Sequence, residues 1–454
     1  MRVIPFVHEG LGNSSYVVDL GNGSAIAIDP DRSVARYMEA LQADGLALAG
    51  VFETHLHADF VSGAREIGDR IGAALFLPEG EGSKLLHRPI HGGQAIALNG
   101  CEVTAVASPG HTPEHLSYVV RGVSAPPMLF SGGSLIVGGA ARTDLISADM
   151  TESLTRDQFR TIRHSFSELS DETLLFPTHG GGSFCSTGAG GERTSTLGRE
   201  RRENSLLTFE DENEFVRWFP TTFPAVPAYF FRLRAVNQKG PRLRRDIPGP
   251  RPLDAEEFAA VRGQAIVIDV RSKEAYSRGH IPGSLNNTLR DVYPVWLGWL
   301  VPADARLLFV ADEQSIEEVV DQSLLVGYED FAGWLLGGAE AWQSSGRELA
   351  KVQLVDAPLG RKLLREGAAS LDVREADEYR AGHIEGSIHV PLGRVIQDVD
   401  RVPRDRPVVV YCGHGERSST AVSLLERAGF SDLVNLDGGT GAWEDAGYNL
   451  KREA

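Results

Sequence analysis

Apolar residues in the first 180 positions fall in short blocks rather than at helical spacing. Residues 24–29 form an apolar run that closes on Asp29, and 46–54 form a second that leads into a histidine-rich stretch. Residues 95–98 and 101–106 flank Asn99-Gly100, which predicts a hairpin because its tight turn needs positive φ at both central residues. Further strands are predicted over 116–120, 128–130 and 173–176. Two strand-rich halves with helices between them predict an αββα sandwich. Beyond them, residues 186–204 are rich in Gly, Ser, Thr and Arg and predict an exposed excursion or hairpin arm. Helical periodicity occupies 205–219. Four prolines within 239–252 block both a helix and a central strand, so this stretch predicts a linker.

The last 200 residues contain a repeat. Ile268-Asp269-Val270-Arg271 recurs as Leu371-Asp372-Val373-Arg374, and Gly279-His280-Ile281 as Gly382-His383-Ile384. Gly337-Gly338 with Trp342 recurs as Gly438-Gly439 with Trp443. Each unit is roughly 100 residues long and alternates strands with helical stretches, which predicts two small α/β domains with parallel sheets. The chain is therefore divided into 1–238, a linker at 239–252, 253–350 and 351–454.

A length of 454 residues agrees with about three domains. Lys and Arg number 45 against 62 Asp and Glu, a net charge of −17 that argues against binding a phosphate backbone or an anionic membrane surface. No run of 18 apolar residues predicts a membrane span, and the N-terminus lacks the apolar core of a signal peptide. Cys101, Cys185 and Cys412 are far apart, which predicts no disulfide framework and a cytoplasmic setting.

Cys412 carries the clearest chemistry. An apolar strand over 406–411 runs into Cys412-Gly413-His414-Gly415-Glu416-Arg417-Ser418, and a helical pattern with Thr420, Ala421, Leu424 and Leu425 starts at once. A cysteine before a helix N-terminus faces oriented N–H groups and the positive end of the dipole, and both favour the thiolate. Gly413 and Gly415 let the backbone curl around the sulfur, and Arg417 adds positive charge. The matching loop of the first repeat has Ala311 in place of the cysteine and no arginine.

Histidines provide the second constellation. His55 and His57 lie in Glu53-Thr54-His55-Leu56-His57-Ala58-Asp59-Phe60, His111 in Ser108-Pro109-Gly110-His111-Thr112, and His179 in Pro177-Thr178-His179-Gly180. Each group follows a predicted strand, so the imidazoles converge on one sheet edge and are candidate metal ligands. Three of them, His55, His57 and His111, suffice for a tetrahedral metal with one open position, and Asp59 and His179 are further donors. Cys185 lies six residues after His179 and is either a sulfur acceptor near this pocket or a packed thiol. Cys101 alternates with Val103 and Ala105 and reads as core. Arg142 and Asp144 either orient a substrate or pair with each other.

The Cys-to-Arg spacing, the Asp-Val-Arg and Gly-His-Ile motifs and the trailing Gly-Gly resemble the rhodanese family of sulfurtransferases over 355–450, with 255–350 resembling an inactive copy. The histidine loops, with Gly12-Asn13, Tyr16, Asp29, Phe130-Ser131-Gly132 and Arg142-Thr143-Asp144, resemble the metallo-β-lactamase fold. The branch is that of glyoxalase II and the persulfide dioxygenases. The order of domains resembles persulfide dioxygenase–rhodanese fusions. This resemblance implies a persulfide on Cys412, stabilised by Arg417 and the loop 413–418, and one Fe(II) or Zn in the first domain acting on a low-molecular-weight thiol persulfide. Thiosulfate or sulfite is the implied small partner, and a homo-oligomer, dimer or tetramer, the implied assembly. The family's second-metal histidine is replaced here by Phe60 and its aspartate ligand by Gly133. A sulfurtransferase with a metal-free scaffold, a zinc thioester hydrolase and a non-catalytic sulfide-sensing protein remain the alternatives.

Overall fold

The computed structural model describes residues 1–80, 82–122, 125–187 and 191–452. The chain divides into two compact units, one of residues 1–247 with 321–327, the other of 248–320 with 328–454.

The first unit contains two six-stranded sheets. One runs Arg2–His8, Asn13–Asp19, Ser24–Ile28, Ala47–Phe52, Ala74–Pro78, Arg88–Ile90 in chain order, antiparallel at first and parallel from Ser24–Ile28 onward. In the other, Leu174–Pro177 lies parallel to Met128–Gly132, followed by Leu116–Arg121, Cys101–Ala107 and Ala95–Leu98. Strand alternation sends Tyr16, Ile26, Ile28 and Phe52 inward, where they pack on Val103, Tyr118, Val120 and Phe130 of the facing sheet. The opposite faces are covered by helices. Val34–Ala43 and Ala64–Ile71 pack on Val17, Ala27 and Val51, and Phe159, Ile162 and Phe215 pack on Val119, Leu129 and Leu175. This is the expected αββα sandwich. Asn99 (φ 48°) and Gly100 (φ 87°) make the expected turn, with Leu98 opposite Cys101.

The second unit contains two five-stranded, all-parallel sheets of the same order. The first is Pro252–Leu253, Phe331–Leu335, Leu307–Val310, Ile266–Asp269, Leu285–Asn286; the second is Gln353–Val355, Leu433–Leu436, Val408–Tyr411, Ala369–Asp372, Ile388–His389. The repeated sequence motifs have a structural cause. Arg271 pairs with Asp269 at 2.6 Å and donates to the Gly279 carbonyl at 3.0 Å, and Arg374 pairs with Asp372 at 2.6 Å and donates to the Gly382 carbonyl at 2.6 Å. Each arginine ties a strand end to the Gly-His turn.

Two expectations are corrected. Residues 186–204 are no free-standing arm: Ser186–Thr187 pairs with Ala140–Ala141, and Ser195–Thr196 joins the second sheet beside Leu174–Pro177. Thr196 then caps the helix Leu197–Glu203 through the Arg199 N–H (residues 188–190 of the predicted arm lie outside the described residues). The periodicity over 205–219 is broken into a 3₁₀ turn, Ser205–Thr208, and a helix, Glu212–Trp218, because Asn204 and Asp211 each cap a new start. Within the predicted linker, Arg65 donates to the carbonyls of Gly240 and Pro241, and Glu66 accepts the Arg244 N–H at 2.8 Å. Pro252 sits on an edge strand, where a missing N–H is tolerated. Among the described residues no helix is long and apolar enough to cross a membrane.

Candidate functional site

Four strand ends build the histidine centre. Thr54, His55, His57 and Asp59 follow Ala47–Phe52, His111 and His115 follow Cys101–Ala107, Gly133 follows Met128–Gly132, and His179 follows Leu174–Pro177. Asp29, buried at the end of Ser24–Ile28, stitches these ends together. Its carboxylate accepts the Thr54 N–H and hydroxyl at 2.7 Å each, and the Thr178 hydroxyl.

The ring nitrogens are oriented from behind. His111 donates from Nδ1 to the Arg142 carbonyl at 2.6 Å, His55 Nδ1 faces Thr54 Oγ1 at 2.9 Å, and His179 Nδ1 faces Asn13 Oδ1 at 3.1 Å. With Nδ1 occupied in each, the Nε2 lone pairs are free to converge. Donor atoms of His55, His111 and His179 lie within 4.8 Å of one another, and a second group of the same size joins His57, Asp59 and His179. Burial, and then the neighbouring imidazoles, hold His55 well below its usual pKa and His111 down to about 3, so both imidazoles are neutral. His57 behaves differently. Burial opposes its charge, but Asp29 and Glu53 overrule it and push its pKa up to about 10. Its Nε2 is held by Glu53 at 2.9 Å and Asp29 at 3.3 Å, while its buried Nδ1 has no partner. Asp59 likewise has one buried oxygen without a partner. Three converging lone pairs and the orphaned Asp59 oxygen fit a divalent cation.

The two replaced positions are filled. Phe60 lies against His57 with ring centroids 4.2 Å apart. A Cβ on Gly133 would come within 2.6 Å of His111 Cδ2, so the site has no room for a side chain there. The Gly133 N–H instead donates to Nε2 of His115 at 3.0 Å. His115, which the sequence reading overlooked, stacks on His55 and reaches Ser108 Oγ at 2.9 Å. Its only sequence signal is its place four residues after His111.

Arg142 does not face the pocket as a substrate group. Its guanidinium is engaged by Asp144 at 2.6 and 2.8 Å and by the carbonyls of Phe184 and Pro224. What it offers the site is the carbonyl that orients His111. Cys185 is fully buried next to Asp59, and burial, then that carboxylate, push its thiol pKa well up. At neutral pH it is an inert thiol. Cys101 is in the core.

Cys412 follows the strand Val408–Tyr411 and precedes the twelve-residue helix Glu416–Arg427, with Gly415 at φ +105° as its N-cap. The Gly415 N–H points at Sγ from 3.1 Å, and Ser418 Oγ lies 3.6 Å away. Asn435 accepts the Ser418 hydroxyl at 2.6 Å. The Cys412 and Gly413 carbonyls are taken by the N–H groups of Thr440 and Gly441, so the Gly438-Gly439 motif anchors the loop. Arg417 makes a bidentate pair with Glu378 at 2.6 Å on both arms, a partner that the sequence reading did not supply. His414 and Glu416 meet Lys273, from the cysteine-free repeat.

Fold and sites together define a metallo-β-lactamase domain followed by two rhodanese domains. The metallo-beta-lactamase superfamily model matches residues 8–183, and the rhodanese-like domain model matches 254–345 and 356–446. Thiosulfate sulfurtransferase GlpE of Pseudomonas paraeruginosa is 39% identical over 83 residues, 18% of this chain and 76% of that protein. The hydroxyacylglutathione hydrolase of Dechloromonas aromatica is 32% identical over 180 residues, 39% of this chain; the chain spans only 62% of the hydrolase's own length. A crystal structure of a metallo-beta-lactamase from Staphylococcus aureus superposes with a TM-score of 0.66 and 28% identity, covering 74% of this chain and 99% of that one. The chain belongs to the rhodanese-like family and carries a metallo-beta-lactamase superfamily domain ahead of its two rhodanese domains.

Proposed function

We propose that the chain is a sulfurtransferase whose sulfur carrier is Cys412. The observation that carries this reading is the Gly415 N–H aimed at Sγ at the N-terminus of a twelve-residue helix. The Cys412 thiolate attacks the outer sulfur of thiosulfate; a Cys412 S–S bond forms, and sulfite leaves with the electron pair of the broken bond. The persulfide anion then occupies the cradle of loop N–H groups. An acceptor thiolate attacks its outer sulfur, leaves as a persulfide, and restores the Cys412 thiolate. Ser418, held by Asn435, keeps its hydroxyl beside the sulfur, and the bidentate pair with Glu378 fixes Arg417 at the loop. In Cys412→Ser, thiosulfate-to-thiol transfer falls to background, and the wild-type peptide containing Cys412 gains the mass of one sulfur after donor treatment. Full turnover by Cys412→Ser overturns the reading.

In the first domain, His55, His111 and His179 would hold one divalent iron or zinc, with Asp59 as the nearby carboxylate. Bound there, iron supplies a centre for oxidising a low-molecular-weight persulfide to sulfite with O₂, and zinc one for hydrolysing a thioester. The chain's own part is to orient three imidazoles through Asn13, Thr54 and the Arg142 carbonyl. Metal analysis paired with O₂ uptake on glutathione persulfide separates the readings. About one iron per chain with uptake supports oxidation, zinc with thioester turnover supports hydrolysis, and no metal leaves the domain a scaffold.

A further inference from the structure

The first rhodanese repeat has no cysteine, yet it reaches the Cys412 loop of the second. Lys273, at the start of the helix Lys273–Arg278, is buried and donates to the His414 carbonyl at 2.6 Å. The same ammonium pairs with Glu416 at 3.1 Å and Asp437 at 3.0 Å. Its stem lies over Gly415, where an added Cβ would meet Lys273 Nζ at 3.0 Å and Cδ at 3.2 Å. The repeat alignment puts Ala376 opposite Lys273, so this cation does not belong to the repeated pattern.

The helix that starts at the cysteine loop is clamped to the same repeat farther along. Ser419 donates to Asn286 Oδ1 at 2.6 Å, the Asn286 N–H donates to Ser423 at 3.0 Å, and Tyr276 and His280 both face Glu426. This clamp holds Lys273 in register with the loop.

Charge gives the arrangement its meaning. Arg417 is already matched by Glu378, so the loop's remaining charges, Glu416 and Asp437, are negative. In a chain of net charge −17, a dianionic donor meets repulsion unless other cations offset them.

We propose that the cysteine-free repeat completes the Cys412 centre: Lys273 pins the loop through the His414 carbonyl, Glu416 and Asp437, and offsets part of their negative charge, so that an anionic sulfane-sulfur donor is admitted. Lys273 is a positioning and charge-setting residue, and the repeat around it is part of the site rather than a spacer. The inference rests on Cys412 as the sulfur carrier.

The test uses the full chain and reads charge apart from turnover. Alkylation of Cys412 is followed on its own peptide with iodoacetate, an anion, and with iodoacetamide, which is neutral. Lys273→Met is expected to lower the iodoacetate-to-iodoacetamide rate ratio by about three- to tenfold and raise the thiosulfate KM similarly, with kcat within about twofold. Lys273→Arg restores the ratio. An unchanged ratio in folded Lys273→Met overturns the inference, as does equal slowing by both reagents, which marks a purely structural role. If Lys273→Met does not fold, Lys273→Gln decides. If the wild type transfers no sulfur, the proposed function fails while the ratio still reports the charge at Cys412.

Discussion

Glu378 sets how much of the Arg417 charge reaches the sulfur. Its carboxylate is partly buried, which alone would raise its pKa, but the Arg417 guanidinium prevails and holds it below the ordinary carboxylate value. A group with a depressed folded pKa contributes stability that is present above its unfolded pKa and lost as pH falls through the folded one. Glu378→Gln removes that contribution. The stability difference between wild type and variant, read by denaturant titration, is therefore expected to shrink on acidification below about pH 4.5. At neutral pH the same variant frees Arg417 and lowers the thiosulfate KM. A rise in KM would mean that the pair is needed to position Arg417. Gly133 gives a second prediction at this scale. Restoring an aspartate there does not restore a ligand, because its Cβ meets the His111 ring at 2.6 Å and the Ala141 Cβ at 3.0 Å. Gly133→Asp is expected to cost about 1–3 kcal/mol by overpacking and to lower metal content by displacing His111 from the Arg142 carbonyl. Tighter metal binding by this variant would contradict the geometry.

At the scale of elements, the turn Gly438-Gly439 and the helix Gly439–Asp445 do as much for Cys412 as the loop that contains it. Gly439 has φ +54°, and a Cβ there would collide with the Cys412 carbonyl. Gly439→Ala is expected to destabilise the domain by about 1–3 kcal/mol and to abolish Cys412 alkylation selectivity by pushing the loop off its anchoring N–H groups. Thermal unfolding and peptide-resolved alkylation check both effects. The Gly-Gly motif was readable in the sequence, but only as a marker of family; the collision is what explains it. Local patterns were legible in the same way. Asn99-Gly100 specified its hairpin, and strand-end histidines placed His55 and His111 together. What sequence could not give was distance between loops from different sheets. His179 was ranked with Asp59 as a weaker donor, yet it stands with His55 and His111 because of strand order. Lys273 and Glu378 were invisible for the same reason, as each acts on a loop far along the chain. Residues 186–204 misled because Gly and Ser content reports backbone freedom, not whether caps and edge pairing take it away.

At the scale of the whole molecule, the chain has two chemical centres, and each is complete within one unit. His55, His57, Asp59, His111 and His179 all lie in the unit built from residues 1–247 and 321–327. Cys412, Arg417, Glu378 and Lys273 all lie in the other. Metal bound to the folded first unit would stabilise that unit by mass action, by about 2.7 kcal/mol when free metal is a hundredfold above its Kd. The sulfur transfer proposed for Cys412 would use only groups from the second unit. Chelation of metal-loaded protein is therefore expected to lower one calorimetric transition while leaving thiosulfate turnover within about twofold of its starting value. The reciprocal variant, Cys412→Ser, is expected to lose turnover and keep its metal content. If turnover fell in proportion to metal removed, the two centres would share a step. The persulfide formed at Cys412 would then have to pass to the histidine centre before release.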